Sequence, residues 1–142
     1  WRFNRDASCW VGVTDVALWT LAVRAAGPPG AQEGRQPAAI SCWSCGCSSG
    51  EEAYYLRMMW QRRFAPLFPS AGLTVLGTDL CPEMVAAAQK GAYPQHSVKG
   101  LPEGWLKDFF EATQQHSWTA AIPGSTEPYF LRQKKDPRLQ AQ

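Results

Sequence analysis

The sequence predicts an α/β fold built on a parallel strand–helix–strand unit. Three observations carry this. Ala38–Cys45 is a short, apolar, β-compatible run that ends at Gly46. A helical pattern starts at Glu51, with two glutamates in its first turn, and Pro66 ends it. A second strand signal over residues 73–78 closes on Asp79. Such a unit places its ligand crevice beyond the C-terminal ends of the strands, where residues 46–50 and Asp79 are expected to meet.

The other elements follow from periodicity. Trp10, Val13, Ala17 and Leu21 recur at intervals of three or four, which predicts one amphipathic helix over residues 6–24. Residues 27–37, rich in Gly, Pro and Gln, read as a surface loop. Pro82, Glu83, Lys90 and Gly91 mark the start and stop of a helix over 82–90. The stripe Leu101, Trp105 and Phe109 predicts another helix over 102–113, and Tyr129–Arg132 reads as a last strand. Residues 133–142 read as a polar, basic, flexible tail.

Composition narrows the function. With 142 residues, 45% hydrophobic, and 7 Trp, 6 Phe and 4 Tyr, the chain suits one domain with a sizeable core. A net charge of +2, from 14 basic and 12 acidic residues, provides no broad field for a phosphate backbone, so nucleic acid is not expected as partner. Asp15 divides the most apolar stretch and Arg24 closes it, so no membrane span is expected. No basic region leads into an apolar run and a cleavage site, which points to a reducing, cytoplasmic setting. Five cysteines then read mainly as buried thiols. Cys42, Cys45 and Cys47 could offer zinc three thiolates, but no second C-x-x-C accompanies them and His96 and His116 stand alone. No metal site is expected, and a zinc or redox domain is the weaker alternative.

The pattern Gly46-x-x-x-Gly50 serves either a turn or the close approach of a ligand to the backbone. It lacks the third glycine of the dinucleotide fingerprint, and Asp79 lies further away than the ~20 residues expected there, so a nicotinamide site is disfavoured. The whole run Trp43-Ser44-Cys45-Gly46-Cys47-Ser48-Ser49-Gly50-Glu51-Glu52-Ala53-Tyr54 resembles the cofactor motif Trp-Ser-Ala-Gly-Cys-Ser-Thr-Gly-Glu-Glu-Pro-Tyr of the CheR-type chemotaxis receptor methyltransferases. Ten of the twelve positions match by identity or a Ser/Thr exchange. Gly77-Thr78-Asp79-Leu80, Met84, Ala88, Gly91, Tyr93-Pro94, Lys99-Gly100-Leu101-Pro102 and Phe109-Phe110 look like the segments that follow. Phe3-Asn4-Arg5-Asp6 is similar to the family's Phe-Phe-Arg-Asp element.

The resemblance implies a partial Rossmann-like, doubly wound sheet of the S-adenosylmethionine-dependent methyltransferase type. It implies S-adenosylmethionine as cofactor, S-adenosylhomocysteine as product, and methyl transfer to a protein glutamate carboxylate. Gly46, Cys47 and Gly50 would form the cofactor loop, Glu52 and Asp79 would bind the cofactor, with Asp79 on the ribose, and Arg5 would line the transfer site. Each acid also has an ordinary reading: Glu52 as a helix-dipole acid, Asp79 as a helix N-cap. Arg5 could be a solvated base. Trp1 stands where the family often has Thr, Asn4 replaces an aromatic, Ala53 a Pro, and Tyr55 a small Ser beside the loop. The family's Asn-Leu element and its strand ending Cys-Arg-Asn-Val have no counterpart after Phe130, so residues 1–142 are expected to form the N-terminal part of one such domain. A catalytically inactive binding or scaffold module derived from the same fold is the alternative.

Overall fold

The computed structural model describes residues 2–31, 34, 36–112, 117–121 and 129–132. The tail predicted over 133–142 lies outside them, as do residues 32, 33 and 35 of the predicted 27–37 loop. The elements run α1 (Ala7–Ala26), β1 (Ala38–Cys45), α2 (Glu51–Met59, continued by a wider-wound turn over Trp60–Phe64), β2 (Ala71–Asp79), α3 (Pro82–Lys90), β3 (Ala92–Pro94), α4 (Gln95–Val98), α5 (Trp105–Phe109), β4 (Phe110–Ala112), β5 (Ser117–Ala120) and β6 (Tyr129–Arg132). The fold is mixed α/β with two small sheets.

In the first sheet β2 is central, paired in parallel with β1 on one edge and β6 on the other. The β1–β2 register runs unbroken from Ala38 opposite Ala71 to Cys45 opposite Thr78, which is why β2 is longer than the predicted 73–78. Both C-terminal ends therefore finish side by side. Helices α2 and α3 share one face of this sheet, tied where the Tyr54 hydroxyl donates to the Ala88 carbonyl at 3.2 Å. Along β1, Ile40 and Ser44 are buried, while Ala39, Ser41, Trp43 and Cys45 are exposed.

Helix α1 covers the predicted 6–24 and runs slightly further. It buries Thr14, Leu18, Ala22 and Ala26, a one-sided stripe at intervals of four, and its C-terminal half packs on β1 and β2. Its middle, Gly12–Leu18, is wound wider, so that the Trp19 amide reaches back to the Thr14 carbonyl. The acid that interrupts the apolar run is matched: Arg63 donates to the Asp15 carboxylate at 2.8 Å and to the Thr14 hydroxyl at 3.1 Å. That pairing holds the Asp15 carboxyl below the usual carboxylate range. By length and composition α1 is long and apolar enough to cross a membrane.

The second sheet, β3-β5-β4, is antiparallel and was not predicted. Two of its strands have three residues each, too short to show alternation. It also corrects the helix expected over 102–113. Gly104 is left-handed at the start of α5, Phe110 is already extended, and Phe110–Ala112 pairs with β5, so only Trp105–Phe109 is helical. The tertiary gain is the burial of Phe110 against Phe3 and Tyr93, ring centroids 5.4 and 6.2 Å away.

Arg57 of α2 is 4% exposed, and its Nη1 donates to the Leu73 carbonyl while its Nε has no partner. Burial lowers its pKa, and no carboxylate pairs with it among the described residues. A charge buried this way gains little from one carbonyl, so an apolar side chain of similar length suits the position. Arg57→Met is expected to leave stability unchanged or raise it by up to about 2 kcal/mol, whereas Arg57→Ala, which leaves a void, costs about 2–3 kcal/mol. Urea unfolding measures both; a loss above about 2 kcal/mol for Arg57→Met would mean that the guanidinium itself holds the helix to the sheet.

Candidate functional site

The loop between β1 and α2 holds three left-handed residues within five positions. Gly46, Ser48 and Gly50 all have positive φ, at 73°, 51° and 91°. Glycine accepts that region without penalty, but a serine does not, so Ser48 must be held there. The Ser48 amide donates to Asp79 Oδ2 at 2.8 Å. The other carboxylate oxygen, Oδ1, accepts from the Cys81 amide at 2.9 Å, just before α3. The loop is fastened further where the Gly46 and Cys47 amides both donate to the Thr78 carbonyl, at 2.8 and 2.9 Å. The Tyr93 hydroxyl donates to the Ser49 carbonyl at 2.9 Å. Burial in this setting raises the pKa of Tyr93.

The N-terminal arm forms the opposite wall. Phe3, 1% exposed, is seated against Tyr93 at 4.8 Å between ring centroids, and Tyr93 in turn meets Tyr54 at 5.8 Å. The Phe3 amide donates to the Ser97 carbonyl at 2.9 Å, and the Asn4 side chain donates to the Gly100 carbonyl at 3.2 Å. Any side chain at Gly100 would run into the Phe3 carbonyl. Asn4 itself has φ 52°, a conformation that asparagine tolerates better than an aromatic residue does. With Phe3 anchored, Arg2 and Arg5 flank a cavity lined by Gly46, Cys47, Ser48, Glu51 and Glu52. It continues into a cavity of about 200 Å³ lined by Arg2, Asn4, Arg5, Asp6, Cys9, Trp10, Val13 and Glu52.

Of the residues singled out in the sequence, Arg5, Gly46, Cys47 and Glu52 therefore share one contiguous concavity. Gly50 lies behind it, left-handed at the N-terminus of α2. Asp79 is not the N-cap of α3: Cys81 occupies that position, and the Asp79 carboxylate joins the loop to the start of the helix. The two glutamates divide their tasks. Glu51 is buried and accepts from the Ser49 hydroxyl at 2.7 Å, whereas Glu52 is exposed to the cavity. Arg5 is half exposed and paired with Asp6 at 3.3 Å. Tyr55 does not crowd the loop; it is buried between Trp10 and Trp105, at 4.7 and 5.6 Å.

Sequence reading missed Arg2 and the anchoring roles of Ser48 and Tyr93. Nothing local in the sequence marks Arg2, because its place follows from Phe3 entering a core formed far along the chain. The three clustered cysteines diverge. Cys42 is half-buried, Cys45 exposed and Cys47 buried, and no group of three or more metal-ligating residues occurs among the described residues. Burial, with the nearby Asp79 charge, pushes the Cys47 thiol up to about 11.

Comparison with known proteins agrees with this geometry. Residues 16–126 match the family model described as CheR methyltransferase, SAM binding domain. That range holds Gly46, Cys47, Gly50, Glu52 and Asp79 and excludes Arg5. The chain is 34% identical over 64 residues to a chemotaxis protein methyltransferase of Borreliella burgdorferi, covering 45% of this chain and 23% of that protein. It is 32% identical over 84 residues to chemotaxis protein methyltransferase 1 of Pseudomonas aeruginosa, covering 56% and 30%. To chemotaxis protein methyltransferase 2 of Vibrio cholerae it is 28% identical over 79 residues, covering 56% and 27%. The matched stretch thus spans less than a third of each of these relatives.

Two outcomes follow for the loop. At pH 8 a thiol with a pKa of about 11 is ionised to the order of one part in a thousand, so iodoacetamide should label Cys9 and Cys45 while Cys47 stays unmodified until the protein unfolds. Mass spectrometry reads this directly, and prompt labelling of Cys47 in the folded protein would show that the loop opens. Asp79→Ala leaves the left-handed Ser48 unsupported and two amides without their acceptor, an expected loss of about 2–4 kcal/mol in thermal or urea unfolding.

Proposed function

Because this chain belongs to the CheR methyltransferase family through its S-adenosylmethionine-binding domain, we propose that it takes part in methyl transfer from S-adenosylmethionine to a protein carboxylate. The observation that carries the reading is the juxtaposition of a left-handed glycine loop, the Asp79 carboxylate at the end of the neighbouring strand, and a cavity walled by Glu52 and Arg5.

The residues suit the cofactor. Each Asp79 oxygen accepts one backbone amide, which leaves acceptor capacity on both for the two hydroxyls of a ribose. Glu52 reaches the cavity as an acceptor with no internal hydrogen-bond partner among the described residues. An ideal Cβ at Gly46 meets nothing within 4 Å, so the space there is open to a ligand lying on the backbone. When bound, S-adenosylmethionine supplies a methyl group activated by a positive sulfonium. An ionised acceptor carboxylate needs no general base, so the protein's task is orientation. Arg5, on the wall facing Glu52, would hold the acceptor carboxylate in place. The arm that carries Arg5 is pinned by buried Phe3, which limits its freedom to swing.

We read the strand order β1-β2-β6 as one half of a Rossmann-like, doubly wound sheet, 1-2-3 in that fold's own numbering; the parallel pairing on both sides of β2 supports this. Parallel sheets are ordinarily covered on both faces, yet one side of β1 is exposed from Ala39 to Cys45, and β1 has no second neighbour among the described residues. We read β1 as the strand at which the second half of such a sheet adds. No disulfide joins the five cysteines among the described residues, which favours a reducing, cytoplasmic compartment.

Calorimetric titration with S-adenosylhomocysteine tests the reading, with Glu52→Gln as the cleaner control because Asp79→Ala also unfastens the loop. Saturable binding that weakens about tenfold or more in Glu52→Gln is expected, as for loss of a charge-assisted hydrogen bond. Absence of binding by folded protein would leave the alternative, a scaffold module derived from this fold.

A further inference from the structure

Strand β1 has no second strand beside it among the described residues. The Ala38 amide donates to the Ser70 carbonyl and the Gly46 amide to the Thr78 carbonyl, both toward β2. Backbone groups alternate in direction along a strand, so the even-numbered residues of β1 face β2, while Ala39, Ser41 and Trp43 turn their N–H and C=O to the outer side. Such an edge is ordinarily guarded by a lysine, a proline or a bulge. Ala38–Cys45 contains no charge and no proline, and its register with β2 is unbroken. Its one large exposed side chain, Trp43, is drawn inward over the sheet, where its Nε1 donates to the Thr78 hydroxyl at 3.0 Å. Above the same edge α1 packs on β1, with Val16 66% and Leu21 40% exposed and no charged residue between Asp15 and Arg24.

We propose that a second copy of this chain takes the edge, its β1 antiparallel to the first, so that two three-stranded sheets join into one of six strands. The half of the sheet that adds at β1 then comes from the second copy. Three features select a copy as the occupant. The uncharged strand carries no repulsion toward itself. A two-fold axis through Cys42 sets outward residues opposite one another and puts small Ser41 across from large Trp43 of the other copy, whereas an axis through Ser41 brings Pro37, which has no N–H, into the ladder. The axis also keeps both α1 helices on one side of the joined sheet, where Val16 and Leu21 add apolar area toward the about 800 Å² per partner of a stable dimer. At the axis Cys42 meets its own copy as a non-hydrogen-bonded pair, with Cα atoms about 4.5 Å apart, within reach of a disulfide. The two cofactor loops end at opposite sides of the joined sheet, so the proposal stands apart from the methyltransferase reading.

Sedimentation velocity of the 142-residue chain at micromolar concentrations tests this, with Ser41→Pro and Ser41→Lys beside the wild type. The wild-type chain is expected to sediment at twice its 15.7 kDa. Proline at 41 removes an amide that faces away from β2, and lysine places a charge on an exposed edge position, so each should raise the dimer dissociation constant about tenfold or more while far-ultraviolet circular dichroism stays that of the folded chain. If Ser41→Pro fails to fold, Ser41→Lys alone decides. In a Cys9→Ser/Cys45→Ser background, diamide should link the wild-type edge through Cys42, two thiols giving two electrons and two protons to the diazene, and mass spectrometry identifies the bridge. A chain that stays monomeric, a dimer that Ser41→Lys leaves intact, a dimer in which diamide forms no bridge at Cys42, or assembly that runs on past the dimer overturns the proposal. Failure to bind S-adenosylhomocysteine by a chain that still dimerises would remove the methyltransferase reading and leave this one standing.

Discussion

The carboxylate of Asp79 holds the site together. It lies at the end of β2, yet its two oxygens reach the loop after β1 and the turn before α3. Without it, Ser48 has no reason to stay left-handed, and the path of the backbone from Gly46 to Gly50 is not defined. The same group closes the strand–helix–strand unit at its functional end, where Thr78 already accepts two loop amides. An acid that positions the backbone and keeps acceptor capacity can serve structure and ligand at once.

A second constraint comes from the aromatic cluster of Phe3, Tyr54, Tyr93 and Phe110. Its rings meet edge to face, and its polar tips are all used: Tyr54 on the Ala88 carbonyl, Tyr93 on the Ser49 carbonyl. Phe3 joins the arm to β3 and β4, and Tyr93 joins β3 to the loop. Arg2 and Arg5 thereby owe their placement to a residue that touches no ligand. The short antiparallel sheet earns its place here, as the frame that presents Tyr93 and Phe110 to the arm.

Much of this was legible beforehand. The twelve-residue run from Trp43 to Tyr54 identified the loop and separated Glu52 from its neighbours, and the strand ending at Asp79 placed the acid across from it. Punctuation by Pro82 and Gly91 gave α3 its bounds without error, because those residues act locally. What was not legible depended on distant contacts. The helix expected over 102–113 lost its second half when Phe110 found a buried site against Phe3, more than a hundred residues earlier. Tyr55, the bulky replacement beside the loop, turns into the core because Trp10 and Trp105, from two other elements, pack against it there. Arg2 could not be singled out, since only the seating of Phe3 gives it a cavity to face.

The central claim is that residues 46–52 and the arm at Arg5 form one cofactor cradle organised by Asp79. An amide-resolved nuclear magnetic resonance titration with S-adenosylhomocysteine tests it most directly. The account predicts shifts concentrated at Gly46, Cys47, Ser48, Glu52, Asp79 and Arg5, saturating together with one dissociation constant. Saturable shifts confined to another part of the molecule, or none at all in the folded protein, would contradict it.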